Sequence, residues 1–407
     1  MNFRTLFIRP LRERELGLTT FLRRGAEIVI ADHPSSDLFG LADRQIPVPS
    51  PPEAFRNGGM AEIEERVVAF ARRFPLTAVT ADFDYLLPLV GRLNDRLGLR
   101  GHTGASGTVC ASKVRQRAAL DAAGVPSPGW RPFTTRAELS AAARELGFPL
   151  VVKPGDRSNS AAVRYVAREA ELDGAYAAAV EQSWTGEYLV EQYLDGPEVS
   201  VEAITFRGCT EVIAVTDKEI GQPPRFLKLG AEVPSRLPSD VLDGVREVAV
   251  AAVAALGVTD SPSHTELRIT AEGPKVVEVN ARVGGLFLAQ MVQAATGVNL
   301  YDAWFDVVHG RPPRLAPTRS AVAVRRCVSD GAGEVAAVEV GTQPVAEAER
   351  HVLTRCHVKP GAVLKPAEDN FDVRAVHVAA APTREEAVAA AERLVGTLGI
   401  RVRELQW

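Results

Sequence analysis

Through the first 110 residues apolar positions follow two periods in turn. RTLFIR, AEIVIAD and LTAVTA are short and rich in branched residues, and they predict strands. RERELGLTTFLRRG, AEIEERVVAFARRF and DYLLPLVGRLNDRLG place apolar residues every three or four positions and predict helices. IPVPSPPE, between the second strand and the second helix, reads as a proline-rich loop. Strand and helix in alternation predict a parallel α/β sheet. The first strand runs into FIRPLRER rather than GxGxxG, so the dinucleotide fingerprint is missing.

Further on, SKVRQRAALDAAG predicts a serine-capped helix stopped by Gly124, and VPSPGW then breaks the chain. TRAELSAAARELG predicts another helix, ahead of a strand in FPLVVKPGD. EYLVEQYL, EVSVEAITF and EVIAVTDKEI read as strands, and SDVLDGVREVAVAAVAALG as a helix. LFLAQMVQAATG and YDAWFDVVHG predict two helices, each ended by glycine. From Ala321 the pattern becomes short strands, with one late helix in TREEAVAAAERLVGTLG. Repeats and low-complexity tracts are absent from the sequence.

The stretch SHTELRITAEGPKVVEVNARVGG, Ser263 to Gly285, carries the sharpest signal. HTELRIT and KVVEVN each alternate with period two, and AEGP joins them, which predicts a hairpin. His264, Glu266 and Arg268 then share one face, opposite Leu267 and Ile269. Val276, Glu278 and Asn280 likewise share a face, opposite Val277 and Val279. An even register sets Glu266 beside Glu278. Two neighbouring carboxylates repel, and burying each costs several kcal/mol, so a shared proton, an arginine or a divalent cation must compensate. Two carboxylates and an amide carbonyl form an oxygen-only set that suits Mg²⁺. The competing reading is a solvent-facing sheet with an ion pair to Arg268 or Arg282. The run Glu278-x-Asn280-x-Arg282 followed by Gly284 and Gly285 weighs against it. Arg282 stands where it could hold a developing phosphate charge. The glycines let backbone amides approach an anion at the start of the next helix.

Composition narrows the field further. At 407 residues, 46% hydrophobic, the chain is long enough for roughly two to four domains with real cores. A formal charge of -4 gives no reason to expect nucleic acid or an anionic membrane as partner. No apolar run is long enough to span a bilayer, and MNFRTLFIRPLRERE has no small-residue cleavage site of a secretory leader. Cys110, Cys209, Cys327 and Cys356 lie far apart without a CxxC pair, which argues against disulfides or structural zinc and fits a reducing cytoplasm. Only seven of the 47 basic residues are lysines, so a retained lysine hints at a site needing a compact ammonium. Lys153 ends the strand LVVKP before the small, polar turn GDRSNSAAV, and Lys113 lies on the first turn of its helix. Singly, such lysines are more often solvated. Beside the carboxylate hairpin they suggest phosphate ligands.

The ordered series Lys113, VVKP, LVEQYLDGPEVSVE, HTELR, VVEVNARVGG resembles the ATP-grasp fold of carboxylate–amine ligases, closest in style to the L-amino-acid ligases. The resemblance covers nearly the whole chain and implies an α/β (α+β) protein. Its expected parts are a Rossmann-like domain over 1–110, an ATP-grasp lid over 111–190, a body with the Mg-ATP site over 191–320, and a small α+β domain over 321–407. By the same resemblance Lys113 and Lys153 contact ATP phosphates, with Lys153 also catalytic, and Ser158, Asn159 and Ser160 donate to the γ-phosphate. Glu191, Gln192 and the backbone through Leu194 form the adenine hinge, and Glu198 binds the ribose. Glu266, Glu278 and Asn280 are expected to hold two Mg²⁺ ions, which Mn²⁺ can replace. Arg282 is expected to stabilise an acyl-phosphate, with Gly284, Gly285 and Leu286 beside the substrate. His264 fits a core or supporting role better than a catalytic one.

Two departures stand out. GDRSNSAAV has less glycine than the usual lid turn, and Lys228 and Ala231 replace the acid and histidine of a Glu-x-Gly-His pattern that helps hold an amino acid. Lys228 therefore suggests an anionic group on the substrate, or else is displaced or binds phosphate. The expected reaction joins a small carboxylate to an amine, with ATP consumed and no nucleic-acid or membrane partner, in a cytoplasmic enzyme for which a homodimer is the default assembly. Competing readings are a purine-pathway ATP-grasp ligase or carboxylase, a regulatory module that binds ATP without chemistry, and an NAD-dependent oxidoreductase, which the missing glycine fingerprint disfavours.

Overall fold

The computed structural model describes residues 3–11, 15–341 and 350–403. The predicted start of the first helix, Arg12 to Arg14, lies outside the described residues. Strands β1 (Phe3–Ile8), β2 (Ala26–Asp32), β3 (Arg44–Pro47) and β4 (Ala78–Ala81) form a parallel sheet in the order β3-β2-β1-β4. β3 falls at the start of the predicted proline-rich loop. Its sequence, RQIP, buries only Ile46 and ends in proline, which an edge strand tolerates because no neighbour needs that N–H. The sheet is fastened to the rest of the chain by aromatic packing: Phe21 lies edge-on to Phe7, Trp304 and Phe305 at 5.1, 5.8 and 5.0 Å.

A second sheet comprises β5 (Trp130–Phe133), β6 (Leu150–Pro154), β7 (Arg164–Val166) and β8 (Tyr188–Gln192), antiparallel in the order β5-β8-β6-β7. Helices Arg136–Leu146 and Leu172–Gln182 join its core through Leu139, Ala143, Leu172 and Ala179, which pack with Val152 and Val190. Thr135 starts the first of them with a reciprocal capping box to Glu138. The opposite face carries Val151, Lys153 and Glu191 toward the site.

The remaining strands are β9 (Glu198–Phe206), β10 (Cys209–Ile220), β11 (Lys228–Val233), β12 (Ser261–Thr270), β13 (Gly273–Asn280), β14 (Val322–Val328), β15 (Gly333–Val340), β16 (Arg350–Cys356), β17 (Val363–Leu364), β18 (Ala375–Ala381) and β19 (Leu398–Arg403). Eight of them make one sheet, ordered β13-β12-β9-β10-β11-β14-β18-β16, while β17-β15-β19 make a small one. The expected boundary at 320 thus runs through a continuous sheet. β14 pairs directly with β11, so the sheet is continuous from the body into the C-terminal segment.

Candidate active site

The hairpin β12–β13 has the expected register at its centre, with His264 opposite Asn280 and Glu266 opposite Glu278. Immediately beyond, a bulge leaves Val277 without a partner, and Leu267 pairs with Val276. The alternation of β13 therefore breaks at that point. Val276 is buried in the core with Val279 and Leu267, whereas Val277 lines the cavity beside Glu278. The expected face for these two valines is reversed by that one inserted residue.

The carboxylate pair is compensated by cationic side chains. Lys218 Nζ stands 2.7 Å from Glu266 and also pairs with Glu198, while Lys228 lies 3.8 Å from Glu266. His264 links Glu202, at 2.8 Å, to Glu266, at 3.1 Å. Burial alone would raise the Glu266 carboxyl, but Lys218 and Lys228 hold it well below the usual carboxylate range. Lys113 sits 2.8 Å from Glu278. Arg282 donates to the Asn280 side-chain Oδ1 at 2.9 Å and to Asp84 Oδ2 at 2.6 and 2.9 Å. Burial would lower the Arg282 pKa, yet Asp84 raises it. Among the described residues no group of three His, Cys, Asp or Glu side chains is placed to hold a metal. The expected trio has two carboxylates and an amide, all hard oxygen donors, and Lys113 and Arg282 occupy two of those donors as counter-ions would.

The hairpin forms one side of a cavity of about 160 Å³. Its other side comes from β6 and β8, where Glu191 is buried between Arg117 and Lys153, each at 2.7 Å. Burial pushes the Lys153 ammonium down despite Glu191. Glu191 and Glu198, expected at the nucleotide, both line this cavity, and their carboxylates are also tied to cations, Glu198 to Lys218 and, at 3.0 Å, to Arg268. Gln192, Leu194, Val151, Ile220 and Phe226 add a largely apolar slot. Ser158, Asn159 and Ser160 line the same cavity from the lid turn. There, Asn159, Ser160 and Ala162 take φ values of 58, 58 and 56°, the left-handed region that glycine would occupy without strain.

A larger cleft of about 810 Å³ adjoins the first. The two share Lys113, Arg157, Glu278, Arg282, Gly285 and Leu286 among their walls. Gly284 lines only the larger one, and a Cβ there would come within 2.7 Å of Leu288 and 3.1 Å of Glu202 and His264. Lys228, expected at the substrate, lines the smaller cavity beside Glu266 and Lys218.

Four participants were not assigned from sequence. Lys218 carried a usable signal, the scarcity of lysine, but no motif. Arg117, Asp84 and Asn370 reach the site from distant parts of the chain. Asn370 is buried and accepts from the Lys228 amide at 2.7 Å, donates to Ser160 Oγ at 3.0 Å, and its own amide donates to the Asn159 carbonyl at 3.1 Å. One C-terminal residue thereby ties the lid turn to β11.

Comparison with known proteins bears on the family and the fold. Residues 146–290 match the ATP-grasp domain family, and 325–403 match the L-amino acid ligase C-terminal domain 2. The protein y4rH of Sinorhizobium fredii is 31% identical over 332 residues, covering 80% of this chain and 68% of y4rH. Alanine–anticapsin ligase of Bacillus subtilis is 26% identical over 272 residues, covering 61% of this chain and 57% of the ligase. The chain thus spans little more than half of that ligase. The crystal structure of an L-amino acid ligase from Bacillus licheniformis superposes with a TM-score of 0.83 at 23% identity, covering 99% of both chains, and so shares the fold.

Proposed function

The chain belongs to the ATP-grasp family of ligases, and from that premise we propose that it joins a small carboxylate to an amine through an acyl-phosphate. The observation that carries this reading is the β12–β13 register, which gathers Glu266, Glu278 and Asn280 on a cavity whose other walls supply Lys113, Lys153 and Arg282. The smaller cavity is assigned to ATP, with Gln192 and Leu194 beside the base and Lys113 and Lys153 toward the phosphates. Glu278, Asn280 and Glu266 would hold Mg²⁺, as two ions that Mn²⁺ can replace, and the bound metal would neutralise phosphate charge.

A carboxylate oxygen of the acid attacks the γ-phosphorus, the bond to the β-bridging oxygen breaks, and ADP leaves. The amine nitrogen then attacks the acyl carbon, the carbon–oxygen bond to phosphate breaks, and the proton lost by the amine passes to water. Lys153 and Arg282 serve by placing positive charge along the transferred group. Arg282 is held in position by Asp84 and Asn280, and the lid turn keeps water from the acyl-phosphate. Among the described residues no helix is long and apolar enough to cross a membrane. We place the reaction in the cytoplasm, with a homodimer as the proposed assembly.

The test is a screen of paired carboxylates and amines for coupled ADP release, with product masses read by mass spectrometry. ADP that appears only with both partners, alongside a product equal to their sum less water, is the expected result. Tight binding of ATP·Mg²⁺ with no ADP from any pair would instead indicate a non-catalytic nucleotide module.

A further inference from the structure

One wall of the larger cleft is built from the lid turn and the segment ahead of β8. Arg157, at the head of the turn GDRSNS, lines both cavities. Its guanidinium stacks on the Trp184 indole at 4.2 Å. Trp184 lines the larger cleft and not the smaller cavity. It packs against Tyr85 and Phe55, with ring centroids at 5.3 and 5.7 Å. Its amide and that of Thr185 donate to Asp156 Oδ2 at 2.8 and 2.6 Å. The indole is therefore a fixed platform, and it holds the Arg157 side chain on the side of the larger cleft.

That arginine has no counter-ion. Among the described residues its side chain forms no ion pair, and its Nε is buried without a hydrogen-bond partner. The neighbouring Asp156 is engaged elsewhere, since its Oδ2 also accepts from Ser183 Oγ at 3.2 Å. A second guanidinium, Arg56, lies over the same indole at 5.6 Å, and its Nε donates to the Pro52 carbonyl at 3.3 Å. Among the described residues Arg56 has no ion pair either. Two like charges sharing one ring repel. Burial lowers the Arg157 pKa, Asp156 opposes this, and Arg56 lowers it further. A planar guanidinium fork left open in a cleft suits an oxyanion, which it can bind through two parallel hydrogen bonds. The smaller cavity already has Lys113 and Lys153 for nucleotide phosphates, so a different anion is called for.

We infer that the acid substrate carries a second oxyanionic group, a carboxylate or a phosphate remote from its reacting carboxyl, and that Arg157 binds this group on the Trp184 platform. The inference rests on the ligase reading, because an acid attacking the γ-phosphorus must lie where the two cavities meet, and Arg157 lines both. Arg157 is then a specificity-determining residue, with Arg56 adding positive charge at the rim. Acids whose second group is an uncharged amide leave the fork unsatisfied.

The test uses the full chain with ADP and Mg²⁺, titrated by calorimetry with succinate, glutarate, aspartate, glutamate and phosphonopropionate. Succinamate, glutaramate, asparagine and glutamine serve as the singly acidic counterparts. At least one dianionic acid should bind, with its counterpart at least about tenfold weaker. Whether succinate or phosphonopropionate binds tighter tells a carboxylate site from a phosphate site, and either supports the inference. Arg157→Gln should bring acid and amide within about twofold of each other. Arg56→Gln, at an exposed position, should weaken the dianion by about two- to fivefold. ADP affinity on the same samples reports whether the fold is intact. No binding by any dianion, amides that bind as well as the acids, or a preference that survives Arg157→Gln would each overturn the inference. So would a loss in Arg157→Gln of affinity for a non-hydrolysable ATP analogue relative to ADP, which would assign Arg157 to the γ-phosphate. The ligase reading fails separately. A dianion preference with no ADP release from any pair would refute the ligase reading alone, and ADP release equally supported by the amides would refute the inference alone.

Discussion

The smaller cavity is walled by the facing surfaces of two sheets, and nearly every charge in it has a partner a few ångströms away. Glu191 lies between Arg117 and Lys153, Glu266 beside Lys218 and His264, and Glu278 against Lys113. The larger cleft is walled by ends rather than faces: the strand ends at Arg9, Asp32 and Asp82, the lid turn, and the C-terminal loop at Asn370. The first arrangement is rigid, because each group is fixed by β-pairing and by an ion pair in low dielectric. The second gathers loops from three parts of the chain, which suits a surface that must admit and release substrates. The proposed chemistry and the proposed choice of substrates would thus fall to different kinds of structure.

Four variants bear on that contrast. Glu191→Gln would leave Arg117 and Lys153 buried with no carboxylate between them and should cost about 3–5 kcal/mol of stability by denaturant titration. A loss under about 1 kcal/mol would mean that this wall is not held by its charges. Glu278→Gln should lower kcat by roughly 10²–10³, read as substrate-coupled ADP release, with folding retained. Asn370→Ala removes the bonds to the Lys228 amide and Ser160 and should weaken lid closure by about 1–2 kcal/mol, raising KM for ATP roughly 5–30-fold. Faster proteolysis at residues 157–162 should accompany it. Ala162→Gly relieves a left-handed alanine and should stabilise the protein by about 0.5–1 kcal/mol in the same titration. That result would locate strain in the lid turn, whereas destabilisation would show that the buried methyl matters more.

The same division explains what could be read from the sequence. Period-two alternation in HTELRIT and KVVEVN is a local property, so the opposition of Glu266 and Glu278 is legible in the sequence. The bulge at Val277 is not, since nothing in the local alternation marks where β13 gains its extra residue. Capped helices such as Lys113–Ala122 were likewise visible, because Ser112 and Gly124 act within a few residues. The Asp84–Arg282 and Asn370–Ser160 contacts join residues 198 and 210 positions apart and leave no periodic trace. Lys228 illustrates the limit most clearly. Its motif position predicts a substrate contact, while its closeness to Glu266 follows from β11 running beside β10 and Lys218, which no local pattern shows.

The most direct test of the central claim is a crystal structure with a non-hydrolysable ATP analogue and Mn²⁺, located by its anomalous scattering. The account predicts a manganese peak within coordination distance of Glu278 and the Asn280 carbonyl oxygen, with Lys113 turned from Glu278 to phosphate. A nucleotide bound in the smaller cavity with no cation at the hairpin, and the Lys113–Glu278 pair intact, would contradict it.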